Sequence, residues 1–472
     1  MDSQVIEFLQ SKQISVIKED IDTKLKVWEA WYKGHVDGFH TYRIYSGKKK
    51  INKKRRTLNM AQRVCQDWAD LLLNEKVKIT IADKHTQEVL NGLLQQINFF
   101  VKGNNLIEAA FAKGGGIFIQ YFDGKKVNQK YITQDFMYPI SFDSGKMTEA
   151  AFASEKTIKG KKYVYLETHL MDENGNYYIE NFLLEKGKDS LKEVSESFYE
   201  ENEIDTIIET DSPFPSFQMI RPNVANKDNF ASPFGTSVLL GATDVLEGVD
   251  IAYDTYISEL VLGRKRIFAH DSVSNFHIDK EGNTIKVFDP NDEVFYLLPG
   301  DDKENDPPII ESNMQLRIPE LDTAMQTQLN LLSQAVGFGA NGYKWENGNV
   351  STATQIISEN SKMFRTLKKH EEILRQAIID MSHSLLNFQK KYGDKDTGKI
   401  KTELEITVDF DDSIIEDTAE KKRQAMLEYN AGLIDAVEYY VKAYNLTTEQ
   451  AKKYYEEIQK RKPEITENPE GT

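Results

Sequence analysis

Between Leu321 and Phe388 the apolar positions fall into two helical registers separated by a glycine-rich break. Leu321, Met325, Leu329, Leu332 and Val336 step by three and four, which predicts one buried helical face over 319–336. Ala353, Ile356, Met363, Leu367, Leu374, Ile378, Met381, Leu385 and Phe388 predict a second continuous face from about 352 to 388, a helix roughly 55 Å long at 1.5 Å per residue. Thr352 followed by Gln355 supplies a capping-box start. The break runs from Gly337 to Gly348 and carries an aromatic–lysine–tryptophan tip, Tyr343-Lys344-Trp345.

The same periodicity organises the rest. Residues 1–34 read as helical, with little interruption from Ile14 to Tyr32, and lead into an aromatic connector over 35–47. Ala61, Val64, Cys65, Trp68, Leu71 and Leu72 share one face of a helix over 59–74, which makes Cys65 core packing rather than a nucleophile. Residues 76–82 alternate as a strand does, helices are predicted at 85–97 and 104–113, and Gly114-Gly115-Gly116 turns into a strand at 117–122. From 128 to 221 aromatic and β-branched runs predict strands at 136–140, 150–155, 161–170 and 177–184, with 185–203 charged and exposed. The first 220 residues therefore read as one α+β domain with a largely antiparallel sheet.

Ser232-Pro233 predicts the start of another long helix, ending at Gly263. Its stripe is Val238, Ala242, Val245, Val249, Ala252, Tyr256 and Leu260, with Asp244, Glu247, Asp250, Asp254 and Glu259 on other faces. A small β-rich insert over 264–318 follows, with strands in RKRIFAH, TIKVFD and EVFYLL. Beyond the second long helix, 403–409 is a strand expected to pair with the earlier sheet. Residues 417–460 form three short helices, broken at Gly432 and capped by Thr447 with Gln450. No internal repeat is visible.

Composition narrows the function. The 472 residues are 40% hydrophobic and 28% charged, with a formal charge of −16, so diffuse electrostatic binding to nucleic acid is not the default. No apolar run is long enough to span a membrane, no secretory signal is expected, and a single Cys excludes an internal disulfide framework. Lys113 precedes the glycines of 114–116, whereas a phosphate loop needs its Lys after them. His35 and His40 lack useful ligand spacing; His370 and His383 are thirteen apart and expected at a surface or interface. Asp301-Asp302 and Asp411-Asp412 read as solvated loops. No catalytic residue, metal or cofactor is expected. Two basic clusters stand out. Lys53, Lys54, Arg55 and Arg56 form either a solvated loop or a contact to phosphate or an acidic neighbouring subunit; Arg264, Lys265 and Arg266 open the insert.

Four stretches, TLNMAQRVCQDWADLLLNEKV (57–77), SPFGTSVLLGATDVLEGVDIAYD (232–254), NGNVSTATQIISENS (347–361) and DTAEKKRQAMLEYNAGLI (417–434), resemble in order and pattern the portal proteins of tailed, siphophage-type bacteriophages. Such portals often have Glu after Thr-Ala-Thr; Gln355 stands there and can still complete the capping box. The resemblance implies an α+β portal-like fold. Residues 1–231 would be the wing, returning at 353–413; 232–263 and 319–336 the stem helices; 264–318 the clip; 337–352 a tunnel loop; and 414–472 the crown and tail. It implies a non-enzymatic ring, normally of twelve subunits, assembled in the host cytoplasm and carried in the virion at one capsid vertex. Double-stranded DNA would pass through it. Partners would be the terminase large subunit, a head-completion or adaptor protein, and the scaffolding and major capsid proteins, with no membrane. Asn341, Tyr343, Lys344, Trp345 and Asn347 would face DNA; Tyr343 and Trp345 could pack on neighbouring loops or brush the DNA, the alternative being that they anchor the loop on its own helix. Arg264, Lys265 and Arg266 could face phosphate or pair with acids of the next subunit. The competing readings are an α+β enzyme with a dispersed site and a minor capsid protein that is not a portal.

Overall fold

The computed structural model describes residues 2–461 apart from 47–48, 144, 188–189, 265, 271–275, 279–283, 287–294, 299–308, 313, 341, 347–348, 351–360, 394–396, 411–417, 445 and 447. Helix α1 (Ser3–Ser11) starts where the Asp2 carboxylate accepts the Gln4 N–H, and α2 spans Asp22–Tyr32. The expected single helix is thus two. The β-branched Ile14, Val16 and Ile17 favour extended chain; Ile14 and Val16 pack on the large sheet, and the Ile17 N–H donates to the Pro139 carbonyl. Strands β1 (Thr41–Ser46) and β2 (Lys49–Lys54) pair as an antiparallel hairpin, so Lys53 and Lys54 lie on a strand rather than in a loop.

Helix α3 (Met60–Leu72) buries its whole predicted face, Cys65 included. Strand β3 (Lys78–Ile81) leads to α4 (Lys84–Gln96) and α5 (Phe99–Lys113). Strands β4 (Gly116–Phe122) and β5 (Val127–Thr133) follow. Then β6 (Met137–Asp143), β7 (Lys146–Ile158), β8 (Lys161–Met171), β9 (Tyr177–Lys186) and β10 (Leu191–Glu193) form an antiparallel meander. Short α6 (Glu196–Glu201) precedes β11 (Ile207–Glu209), which pairs with β9, and β12 (Phe217–Ile220), which joins β4 and β5 in a second sheet.

Residues 232–242 are not helical, contrary to the sequence expectation. The Ser232 and Ser237 hydroxyls accept the backbone N–H groups of Phe234 and Leu239, turns that compete with helix. Gly235 is pressed against Gly114, whose carbonyl would lie 2.0 Å from a Cβ added at 235, and the Gln134 carboxamide bonds both the N–H and the carbonyl of Gly235. Helix α7 begins only at Thr243 and runs to Leu262. The insert carries β13 (Arg266–His270), β14 (Phe276–Ile278), β15 (Thr284–Lys286), β16 (Phe295–Leu298) and β17 (Ile309–Ser312); β13 lies between β16 and β17, and β14 pairs with β15.

Helix α8 (Ile318–Ala335) packs along α7 and buries Met325, Leu329 and Leu332 as the stripe predicts. A two-residue hairpin, β18 (Trp345–Glu346) with β19 (Asn349–Val350), precedes α9 (Ser361–Tyr392). The Thr352 cap lies outside the described residues. Helix α9 passes through the interior, packed on α3, α4, β4, β5 and β12. It buries even Glu371, Asp380 and Ser384, well beyond an amphipathic stripe. His370 and His383, expected at a surface or interface, are buried within the subunit. His370 lies against Trp68 and Phe111, and burial with the Lys369 charge pulls its imidazole down to about 4. Strand β20 (Ile406–Asp409) pairs with β3 rather than with the main sheet. The chain closes with α10 (Thr418–Asn430), α11 (Ala436–Tyr444) and α12 (Thr448–Arg461). Gly432 breaks the path at φ +71°; Thr447 is outside the described residues. The chain is therefore a mixed α/β fold with one dominant core shared by α3, α5, α8 and α9.

Candidate channel loop and its mount

The loop leaves α8 at Gly337, whose φ of +93° suits glycine. That turn drops Phe338 into the core, where it stacks on the Trp68 indole at 4.4 Å and 11°. The Trp68 Nε1–H donates to the Val336 carbonyl at 3.2 Å, closing the end of α8. Five residues after Phe338 the chain enters the core again. Tyr343 is 0% exposed, meets Phe338 edge-on at 5.5 Å, and donates its hydroxyl to Asp67 Oδ2 at 2.9 Å. Its N–H donates to the Ser333 hydroxyl at 3.0 Å.

Trp345 is held as well. Its N–H donates to Gln326 Oε1 and its indole N–H to Asp322 Oδ1, both at 2.7 Å, while its ring meets Tyr256 of α7 edge-on. The Gln326 carboxamide in turn donates to the Tyr343 carbonyl at 3.0 Å. Asp322 and Gln326 are one turn apart on α8, so one polar ridge of that helix carries the tip of the loop. Burial raises the Asp67 carboxyl above the usual range, against the Tyr343 hydrogen bond and the Arg63 charge, which favour the carboxylate. Burial, and then the Asp67 charge, push the Tyr343 phenol well above its ordinary value.

The tip thus divides by depth. Tyr343, expected to face DNA, is buried, because its ring completes the Trp68–Phe338 cluster and its hydroxyl reaches α3. Trp345 is partly buried and tied to α8. Lys344 between them keeps partial exposure. Asn341 and Asn347 lie outside the described residues. Asp67, Trp68, Asp322, Gln326 and Ser333 are the mount; the sequence marked Trp68 only as a core position and gave no sign of the rest.

The other clusters separate similarly. Lys53 and Lys54 are exposed on β2, but Arg55 and Arg56 are braces. The Arg55 guanidinium lies 4.0 Å from the Phe39 ring centre and donates to its carbonyl, and Arg56 pairs with Asp254 of α7 at 3.0 Å. At the neck of the insert Arg264 is exposed and Arg266 opens β13 half-buried, with Lys265 outside the described residues. One bond across that neck is Arg317 to Glu259, with Nε and Nη2 on the two carboxylate oxygens at 3.2 and 2.8 Å. The Arg317 hydrogen bonds hold the Glu259 carboxyl below its ordinary range.

These depths set an expectation. Tyr343→Phe removes the hydroxyl bonded to the partly buried Asp67 carboxylate, leaving it Arg63 at 3.6 Å, and should cost about 1–3 kcal/mol, whereas Lys344→Ala should stay within roughly 0.5 kcal/mol of the parent. Calorimetry of both variants checks this; a Lys344→Ala loss as large as that of Tyr343→Phe would place the lysine in the mount instead.

A family model described as "Phage portal protein, SPP1 Gp6-like" matches residues 12–464. Among solved structures the chain is similar to one from "Neck of native GTA particle computed with C12 symmetry", with 12% identity over 81% of this chain and 88% of that one and a TM-score of 0.38. That superposition is too loose to carry an argument about site or assembly. No curated protein matches.

Proposed function

The chain belongs to the SPP1 Gp6-like family of phage portal proteins, and on that premise we propose that it works as a closed ring of twelve subunits at one capsid vertex. The ring is the passage for double-stranded DNA during packaging and ejection. It is a structural part and not an enzyme; the terminase large subunit and later a head-completion or adaptor protein dock on it, and scaffolding and major capsid proteins surround it. Residues 1–231 with 353–413 serve as wing, α7 and α8 as stem, the 264–318 insert as clip, and the C-terminal helices as crown.

The observation that carries the ring is the stem. Helices α7 and α8 cover one another along one side, yet α7 leaves Ile251, Leu260, Val261 and Leu262 exposed and α8 leaves Leu331 exposed. Apolar positions strung along two packed helices call for a neighbour, and copies set side by side by a heterologous interface close into a ring. The charge of −16 per chain gives such a ring a large negative excess, which discourages phosphates from adhering to a conduit. Lys344, partly exposed between two anchored aromatics, is the loop's point of contact with DNA phosphate, and Asn341 and Asn347 flank it in sequence. Arg264, Lys265 and Arg266 at the stem–clip neck act on the docking partner or on the next subunit.

Native mass spectrometry of the purified chain should show one dominant species of about twelve chain masses. Monomers alone, across protein and salt concentrations, would sink the ring.

A further inference from the structure

The large sheet ends in a strongly acidic recess. β9, β10, α6 and the segment entering β11 enclose a cleft of about 920 Å³. Glu180, Glu193, Glu196, Glu200, Glu203 and Asp205 line it, against the single ammonium of Lys12, which already pairs with Glu193 at 2.8 Å. Acidic surface alone is commonplace; the floor of this cleft is not. Asn181 lines it while only 3% exposed, and its amide N–H is spent on the Asp205 carbonyl at 2.8 Å. Its Oδ1 is left buried with no hydrogen-bond partner. An orphaned buried acceptor is costly, and this one sits among carboxylates that also accept only. Burial, with Glu193 adding to it, raises the Glu180 carboxyl even though Lys12 pulls the other way. The Asn181 oxygen and the carboxylates around it ask for the same thing, a positively charged N–H donor that reaches inward.

Among the described residues no three His, Cys, Asp or Glu side chains are disposed to hold a metal ion. A lysine fits better: three donors on a long stem can satisfy Asn181 and two carboxylates at once. The chain itself carries a matching surface. Strand β2 reads KKINKK, all six residues are exposed, and among the described residues its ladder pairs with β1 alone. The hairpin is braced at its base by Arg55 on Phe39 and by Arg56 on Asp254, so the lysines are presented from a fixed root. Hairpin and cleft belong to different parts of the subunit, one rooted on α7 and the other on β9, β10 and α6. Two unlike patches meeting head to tail are what a closing heterologous ring uses.

Resting on the ring reading above, we propose that the exposed lysines of β2 from one subunit dock into the Asn181-floored acidic cleft of its neighbour. The contact supplies the donor that Asn181 lacks and sets the direction in which subunits follow one another round the ring. It is electrostatic, so ring cohesion falls as salt rises.

A charge swap tests it, read by native mass spectrometry and by sedimentation at about 0.1 M salt. Lys53→Glu with Lys54→Glu should lower the ring population roughly tenfold at fixed protein concentration, and Glu196→Lys with Glu200→Lys should do the same. All four changes together should restore rings. All four positions are exposed, so melting temperatures should stay near the parent and confirm folding. Rings unchanged by either reversal, or no better in the combined variant than in the worse single reversal, would overturn the proposal. So would loss of rings from the cleft reversal alone, which is the signature of a different cation in the cleft. A parent chain that never forms rings fails the ring reading itself, a result distinct from these.

Discussion

Trp68→Ala should lower the stability of the N-terminal body by about 3–5 kcal/mol, the range for truncating a buried Trp. The indole is 0% exposed. It is stacked by Phe338, met edge-on by His370 at 4.8 Å, flanked by Phe111 at 6.2 Å, and hydrogen-bonded to the Val336 carbonyl. Few of these neighbours can collapse into the space, because Phe338 is fixed by the turn at Gly337 and His370 by α9. The cavity term therefore adds to the lost transfer energy. Trp68→Phe keeps a ring against Phe338 and loses chiefly the indole N–H and some volume, so it should cost clearly less. Urea unfolding gives the stability, and amide exchange over 337–346 gives the loop: the alanine variant should raise exchange there well before global unfolding. A loss under about 1 kcal/mol, with unchanged exchange, would mean that the loop is not mounted on α3.

The same mount changes what loop deletions can reveal. Removing 340–349 would take out Tyr343, a core residue, and so would test folding rather than passage of DNA. Substitution of Lys344 separates the two.

A second large effect is expected at Asp250. Though α7 is otherwise half-exposed, this carboxylate is only 4% exposed. Its Oδ1 accepts the Leu58 N–H at 2.8 Å and its Oδ2 lies 2.9 Å from His40 Nε2. The His40 Nδ1 accepts the Val36 N–H, which fixes the proton on Nε2 and makes His40 the donor to Asp250. One side chain thus ties the entry to α3, the connector after α2 and the stem helix together. Asp250→Ala leaves the buried His40 Nε2–H and the partly buried Leu58 N–H without their acceptor, and should cost about 3–5 kcal/mol, as for a broken buried pair. Asp250→Asn keeps one carbonyl oxygen for Leu58 but turns an N–H2 toward a second donor, so it should recover only part of the loss. Adding His40→Ala to Asp250→Ala should cost much less than the two single losses combined, since the partners are already separated. Additive losses in that cycle would show that the pair does not act as a unit.

Asp250 also shows where sequence reading stops. In sequence it is one of five acids placed on the outward faces of a helix, with nothing to separate it from Asp244 or Glu247. It is buried because the segment from His40 to Leu58 crosses α7 at that turn, a long-range event that leaves no local trace. Tyr343 is the same case. Its glycine-rich surroundings suggested an exposed tip, and only the position of Asp67 and Trp68 on α3 draws it inward. Residues 232–242 went the other way. Their apolar spacing suited a helix, but serine hydroxyls and the Gly114–Gly235 contact, bridged by Gln134, hold them in turns.

What the sequence determined by itself is what local period can report. The buried faces of α3, α8 and α9 and the alternation of β3 follow from side chains that repeat at 3.6 or 2 residues; the meander and the insert show as aromatic and β-branched runs, and the portal-like order rests on the resemblance of four stretches. Burial on one side of a regular element leaves that signature, and the family match over 12–464 agrees with it. What the tertiary structure alone decided is which polar groups lie inside and what each one meets. That depends on contacts between residues hundreds of positions apart, such as Tyr343 with Asp67 or Asp250 with His40. The glycine-rich loop accordingly carries Tyr343 buried against α3, Trp345 bonded to α8, and a partly exposed Lys344 between them.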